Sequence, residues 1–397
     1  METHSENPNI NLQEALDLCL KHAHDTDDET IDLHAAIGRV LAENVVAVRD
    51  MPPFNKAAVD GYACRKSDMP GPLRPVATIA AGDDADVRLS PGECVKIMTG
   101  ASVPDGADWV VMVEHTRQND DGLIDITGTG RKSNIALKAE DYASGDVLIR
   151  KGQILKSQHI ALMAAEGYAS PKVYSKPRVQ IVTTGDELVE PHEFPGNGQI
   201  RNSNAIQLQA QLNQIGIMAD YPGIVPDDKA ALRQVIKRCD AYDISFFTGG
   251  ISMGDYDYVP GLIKEAGYKM IFQKIAVKPG KPTVLAKKGK HLIMGLPGNP
   301  VSGFIQFLLL GKPLIYKMMN ADYLPEEHFL PLGEDLPSKK SDRDSWIPVQ
   351  INKNKVYPVP YNGSGDLAAL RYAHGFICIP AAVTLLKTKD YVHVRPV

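Results

Sequence analysis

The stretch Asp243-Ile-Ser-Phe-Phe-Thr-Gly-Gly-Ile-Ser-Met-Gly-Asp-Tyr-Asp-Tyr258 decides the fold. Its apolar start reads as a strand, which runs into a glycine pair and then into a helix. Glycine lets a backbone come close to a ligand, and free N–H groups at a helix start attract anions. Ser252 and Gly254 lie where such a loop would wrap a phosphate, and Asp257 could cap the helix or face a metal. A tight turn with an ordinary cap accounts for the same residues.

The same pattern recurs around this stretch. Strands are expected at 178–183, 218–225, 243–247, 271–277, 283–286 and 291–294, and helices at 204–215, 228–239, 258–266 and 300–319. Strands alternating with helices imply a parallel sheet covered on both faces, a doubly wound α/β domain. Polar, glycine-rich segments follow three strands: Thr184-Gly-Asp-Glu187, Thr248-Gly-Gly250 and Gly295-Leu-Pro-Gly-Asn299. Open α/β sheets bind ligands at the carboxyl ends of their strands, so this segment is the default ligand domain.

On the N-terminal side, 11–48 reads as helix-rich, with Leu12, Ala15, Leu16, Cys19 and Leu20 at helical spacing and a second such set from Leu33 to Leu41. Pro52 and Pro53 then force an extended path. Short β-branched runs from about 70 to 155 predict a small β module, and 155–167 a connecting helix. Residues 322–340 resemble a linker, and 341–397 holds short strands of a small β-barrel or sandwich. The expected domains are 1–50 plus about 145–176 (helical and linker), 51–144 (small β), 177–326 (α/β) and 327–397 (C-terminal β-barrel).

A length of 397 residues is too long for one core and suits two to four domains. Hydrophobic content of 44%, charged content of 23% and a net charge of −5 describe a soluble globular chain without the basic excess of a nucleic-acid binder. The five cysteines form no C-x-x-C pair, which argues against a disulfide framework or zinc site and for a reducing compartment. Met1–Pro8 has no apolar signal region, and no apolar run approaches the roughly 20 residues that span a bilayer. A cytoplasmic protein without a membrane partner is expected.

Four further motifs bear on chemistry. Lys278-Pro-Gly-Lys-Pro282 sets two ammonium groups on a stiff segment; their mutual repulsion calls for an anion, with Lys274 as a possible third cation. In Gly295-Leu-Pro-Gly-Asn-Pro-Val-Ser302, Asn299 suits an N-cap and Pro300 a first helical turn, which leaves Ser302 beside the helix N-terminus. The carboxylates Asp60, Asp141, Asp186, Glu187, Asp227 and Asp257 lie mostly next to Gly or Pro; they are turn residues or, beside phosphate-type loops, magnesium ligands. Gly363-Ser-Gly-Asp366 reads most simply as a turn. None of the eleven histidines falls in a metal-binding spacing.

Taken together, these segments resemble the molybdopterin molybdotransferase family, which includes the E domain of gephyrin and the matching domain of plant molybdenum insertases. The resemblance runs in one order from about residue 10 to the end. It rests on Met51-Pro-Pro-Phe54 through Asp60-Gly-Tyr-Ala63, Ile97-Met-Thr-Gly-Ala101 with Pro104-Asp-Gly-Ala-Asp108, Thr184-Gly-Asp-Glu-Leu188, Gly198-Gln-Ile-Arg-Asn-Ser-Asn204, Thr248-Gly-Gly-Ile-Ser-Met-Gly254, Lys278-Pro-Gly-Lys-Pro282 and Leu296-Pro-Gly-Asn-Pro-Val-Ser302. It implies a four-domain, homodimeric enzyme that takes adenylylated molybdopterin from a molybdopterin adenylyltransferase, releases AMP with Mg2+, and places molybdate on the dithiolene. Hand-over to molybdoenzyme-maturation proteins is a further implied partnership.

Carried over by position, the resemblance implies a molybdate pocket of Lys278, Lys281, Ser302, Arg343 and Ser364. Dianionic molybdate suits ammonium, guanidinium and hydroxyl donors. It implies catalytic roles for Asp60, Glu187, Asp227, Asp257, Lys274 and Lys278, and metal binding by Asp141, Glu187 and Asp257. Substrate binding is implied for Thr99, Thr248, Gly249, Gly250, Ser252, Pro297 and Pro300. The chain departs from the family pattern at Ala58, at Ala136 (usually Arg), at Ala139 (usually Gly) and at Pro348 (usually basic). Two lost positive charges should weaken binding of an anionic substrate. Rival readings are an adenylyltransferase-like enzyme, a tungstate-preferring paralogue and a non-catalytic scaffold.

Overall fold

The computed structural model describes residues 9–83, 86–128, 130–251 and 258–397, and the chain divides into two compact units. The smaller comprises Asn44–Lys151 and Ala161–Ala169, the larger the remainder. The helix Ser157–Ala165 begins in the larger and ends in the smaller.

The smaller unit is built on a four-stranded sheet of β1 (Gly61–Cys64), β2 (Arg74–Ile79), β3 (Glu93–Ile97) and β4 (Trp109–Met112), in the order β2-β3-β1-β4. One face buries Ala63, Val95, Ile97 and Val110, and the other Cys64, Cys94, Trp109 and Val111. This is the period-two alternation of a strand buried on both sides.

In the larger unit, α1 (Leu12–His22) is held at its start by a reciprocal capping box between Asn11 and Glu14. The second helix expected within 33–47 is a correction. Only a single 3-10 turn, Leu33–Ala35, forms there, and Val45–Val46, already in the smaller unit, is a strand. The helix-like spacing has another cause: Val40 and Leu41 are buried by bridging Ile154 and Val173, so tertiary pairing set the pattern.

The central strands are β5 (Val179–Thr184), β6 (Ala219–Asp220), β7 (Ile224–Val225), β8 (Ile244–Thr248), β9 (Lys269–Phe272), β11 (Val284–Lys288) and β12 (His291–Leu296); β10 (Val277–Lys278) leaves this sheet for another. The order is β6-β5-β8-β12-β11-β9, with β7 also on β5. Strands β5 to β8 and β12 are mutually parallel as expected, but β11 runs antiparallel to β12 and β9. The reason is local: Lys288 pairs with His291 across the two-residue turn Gly289–Lys290, and so short a connection can only reverse the chain.

Alternation along these strands sorts the core into two layers. Ile181, Phe246 and Met294 face α1, α2 (Asn204–Gln214), α5 (Pro300–Gln306) and α6 (Lys312–Met318). Val182, Phe247 and Ile293 face α3 (Lys229–Arg238) and α4 (Val259–Glu265). The single helix expected over 300–319 is interrupted: a π-helical turn, Phe307–Gly311, joins α5 to α6. Pro313 has no N–H for the carbonyl four residues back and its ring displaces that carbonyl, which widens the preceding turn.

The expected linker at 322–340 already contains β13 (His328–Pro331). With β14 (Asp344–Asn352), β15 (Lys355–Pro358), β16 (Gly375–Ile379) and β17 (Tyr391–Pro396) it builds a C-terminal sheet ordered β10-β14-β16-β17-β13, with β15 on β14. Strand β10 pairs in parallel with the start of β14, Lys278 opposite Ser345. That pairing ties the lysine-bearing segment to both sheets. Among the described residues no helix is long and apolar enough to cross a membrane.

Candidate functional site

Within the larger unit, a cleft of about 1150 Å³ opens where the carboxyl ends of β5, β7, β8 and β12 meet the C-terminal sheet. One wall carries Thr184, Gly185, Glu187, Asp227, Gly249 and Gly250; another carries Lys278 to Pro282; a third carries Pro297 to Asn299 with Ser302. The C-terminal sheet contributes Trp346, and the segments between its strands contribute Lys339, Arg343, Tyr361 and Ser364.

Each wall has a local cause. Gly249 follows β8 at φ 91°, and a Cβ there would stand 2.3 Å from the Thr184 carbonyl oxygen. Only glycine lets the turn cross the end of β5 so closely. Thr248 itself is buried, and its hydroxyl is paired with that of Thr183 at 2.8 Å, so it shapes the turn and does not line the cleft.

Asn299 occupies the N-cap position of α5, but its side chain does not cap its own helix. Its Nδ2 donates instead to Ser364 Oγ at 2.7 Å, and the Val301 N–H donates to the Ser364 carbonyl at 3.1 Å. The Gly363–Asp366 turn is therefore the partner of the helix start. Ser302 lies in the first turn of α5, 2% exposed, on the cleft wall. Arg343 Nη1 donates to the Val277 carbonyl at 3.4 Å, which ties the guanidinium to the strand that leads into the lysine loop.

The acidic wall is organised by the ends of β5 and β7. Thr184 Oγ1 donates to Asp227 Oδ1, and the Asp227 N–H donates to Asp186 Oδ1 at 3.1 Å. The Glu187 carboxylate lies over Gly185, where a Cβ would come within 2.8 Å of it.

The structure thus brings together Glu187, Asp227, Gly249, Gly250, Lys278, Lys281, Pro297, Ser302, Arg343 and Ser364. Lys274 and Pro300 are not on the cleft lining; the Pro300 carbonyl accepts from Gln207 Nε2 at 3.0 Å. Asp60, Thr99 and Asp141 belong to the smaller unit. There Thr99 donates to Asp60 Oδ1 from its N–H at 2.7 Å and its hydroxyl at 2.8 Å, and these bonds hold the Asp60 carboxyl below the usual carboxylate range. Ser252 and Asp257 lie outside the described residues. Among the described residues no three His, Cys, Asp or Glu side chains gather as a metal site.

Sequence reasoning missed four residues here. Lys339 falls in the segment read as a linker. Trp346 and Tyr361 carried no motif, yet both line the cleft with Nε1 and OH buried and without a partner among the described residues. Burial, then the nearby Asp366, pushes the Tyr361 phenol up to about 12. The fourth is Gln306, beneath the lysine loop.

These features define a class: a doubly wound α/β protein whose sheet ends and β-rich C-terminal module enclose a cleft with a basic and an acidic wall. Residues 10–167 match the MoeA N-terminal region (domain I and II), 180–317 a probable molybdopterin binding domain, and 330–396 the MoeA C-terminal region (domain IV). A molybdopterin molybdenumtransferase from Staphylococcus aureus is 32% identical over 393 residues, covering 96% of this chain and 93% of the relative. One from Staphylococcus epidermidis is 32% identical over 403 residues, covering 97% and 95%. The crystal structure of the molybdopterin biosynthesis moeA protein from Pyrococcus horikoshii OT3 superposes with a TM-score of 0.85 at 30% identity, over 98% of this chain and 100% of that one. The chain belongs to the MoeA family of molybdopterin molybdenumtransferases.

Proposed function

We propose that this enzyme transfers molybdenum from molybdate to the dithiolene of adenylylated molybdopterin, with release of AMP. The observation that carries the reading is the convergence of Lys278, Lys281, Arg343, Ser302 and Ser364 on one cleft. Two ammonium groups, a guanidinium and two hydroxyls supply donors to a tetrahedral dianion, and the cleft is far larger than one oxyanion requires. Family membership supports molybdenum insertion; the adenylylated form of the substrate, the cation and a homodimeric assembly are parts of the proposal.

Mg2+ suits the acidic wall, since it usually takes one or two carboxylates together with substrate phosphates, and Glu187 and Asp227 line the cleft. When bound it would neutralise phosphate charge and polarise phosphorus. Thr184 orients the Asp227 carboxylate, while Lys278 and Lys281 concentrate the oxyanion.

The test is to incubate the protein with adenylylated molybdopterin, magnesium and either molybdate or tungstate, and to measure AMP and metal-loaded pterin. Lys278→Ala and Lys281→Ala should fold and insert molybdate poorly. Unchanged insertion at limiting molybdate would remove the lysine loop from the pocket. Incorporation of AMP, in place of its release, would favour the adenylyltransferase alternative, and tungstate preference would identify a paralogue.

A further inference from the structure

We propose that Gln306 is the positioning residue that holds the lysine loop in its anion-facing shape; this deepens the molybdate reading and rests on it. Gln306 closes α5 and is fully buried. Its Nε2 donates to the Pro279 carbonyl at 3.1 Å. Gly280 lies flat against the amide: at φ 111°, a Cβ there would be 2.3 Å from Nε2 and 2.8 Å from Cγ. Glycine at this position and glutamine beneath it are one fitted pair.

The neighbouring carbonyls are tied in the same way. Thr283 Oγ1, wholly buried, donates to the Gly280 carbonyl at 2.8 Å. The Lys281 carbonyl accepts from the Ile275 N–H at 3.0 Å and the Thr283 N–H at 2.9 Å. Three successive carbonyls are thus occupied by protein donors, and their negative ends do not compete with an oxyanion for the ammonium groups. Lys278 and Lys281 remain exposed on the cleft wall.

A second observation separates this role from packing. Gln306 Oε1 is buried with no hydrogen-bond partner among the described residues. An unsatisfied buried acceptor is destabilising, and a methionine of similar shape would not carry one. Turning the amide over would set Oε1 against the Pro279 carbonyl, so it stays as it is. Methionine would also forfeit the Nε2 bond to the Pro279 carbonyl, so the two changes offset in stability, and what glutamine adds is the shape of the loop.

The experiment measures molybdate binding to the full chain by equilibrium dialysis, with Tm read in parallel. Gln306→Met should hold Tm near the parent's and weaken molybdate binding by about tenfold or more, as expected for misplaced ligating groups. In turnover, its KM for molybdate should rise while kcat at saturating molybdate and KM for the pterin substrate hold. Gln306→Glu guards against a methionine variant that fails to fold. Protonated, its carboxyl can donate to Pro279; ionised, it cannot, and it adds negative charge beside two lysines, so affinity should fall steeply as pH rises. Variants that bind molybdate within about twofold of the parent at every pH overturn the proposal. So does a lowered Tm with unchanged binding, which would make Gln306 a packing residue. A parent that binds molybdate but transfers none sinks the functional reading, and the dialysis comparison still decides the role of Gln306.

Discussion

Gly249→Ala tests the geometry that the deciding stretch of sequence creates. The added Cβ would stand 2.3 Å from the Thr184 carbonyl oxygen, whereas real Cβ contacts stay beyond 3.0 Å, so the backbone must open by at least about 0.7 Å. Overpacking against backbone costs about 1–3 kcal/mol. Holding alanine at φ 91° adds about 1–2 kcal/mol. A combined loss of about 2–5 kcal/mol should lower Tm by roughly 5–15 °C. Thr184 and Asp227 would move with the strand end, and a shift near 1 Å at a site can lower turnover about 100-fold. Gly298→Ala is the control on the same cleft, because its Cβ would meet only the Gly249 Cα at an ordinary 3.8 Å. Thermal unfolding of both variants decides the matter. A Gly249→Ala protein with the parent's Tm, or a Gly298→Ala protein damaged equally, would refute the close-approach argument.

Further expectations concern packing, backbone and thiols. Ala139 sits at φ 62°, so Ala139→Gly should raise stability by roughly 0.5–1 kcal/mol; an unchanged or lower Tm would count against strain there. Phe246 is fully buried and meets Phe307 edge to face at 5.6 Å, so Phe246→Ala should cost about 3–5 kcal/mol by denaturant titration. Burial pushes the Cys94 and Cys239 thiols up from the ordinary 9.0 to about 11. The fold favours their neutral form, so this stabilisation is complete below pH 9.0 and is lost as pH rises toward about 11. Native protein should resist alkylation at neutral pH and alkylate readily once unfolded; rapid native labelling of Cys94 would contradict its burial.

Much of the α/β segment was legible because its signals are local. Strand–glycine–helix transitions, the paired lysines in Lys278–Pro282 and the Asn299–Pro300 helix start each follow from backbone preferences within a few residues. The misreadings have physical causes too, one of them tertiary and one local. Helical spacing at Leu33–Leu41 came from residues buried by distant partners, and a two-residue turn at Gly289–Lys290 reversed a strand expected to run parallel.

Residue type and turn preference are properties of short stretches, so the paired lysines and the glycine-rich turns could be read directly along the chain. Which of them share a cleft followed from the folded arrangement. It brought Arg343 and Ser364 to the lysine loop by pairing β10 with β14, and left Lys274 off the wall. It also set Gln306 beneath Pro279. Convergence depends on pairing between residues far apart in the chain, and no local preference encodes that.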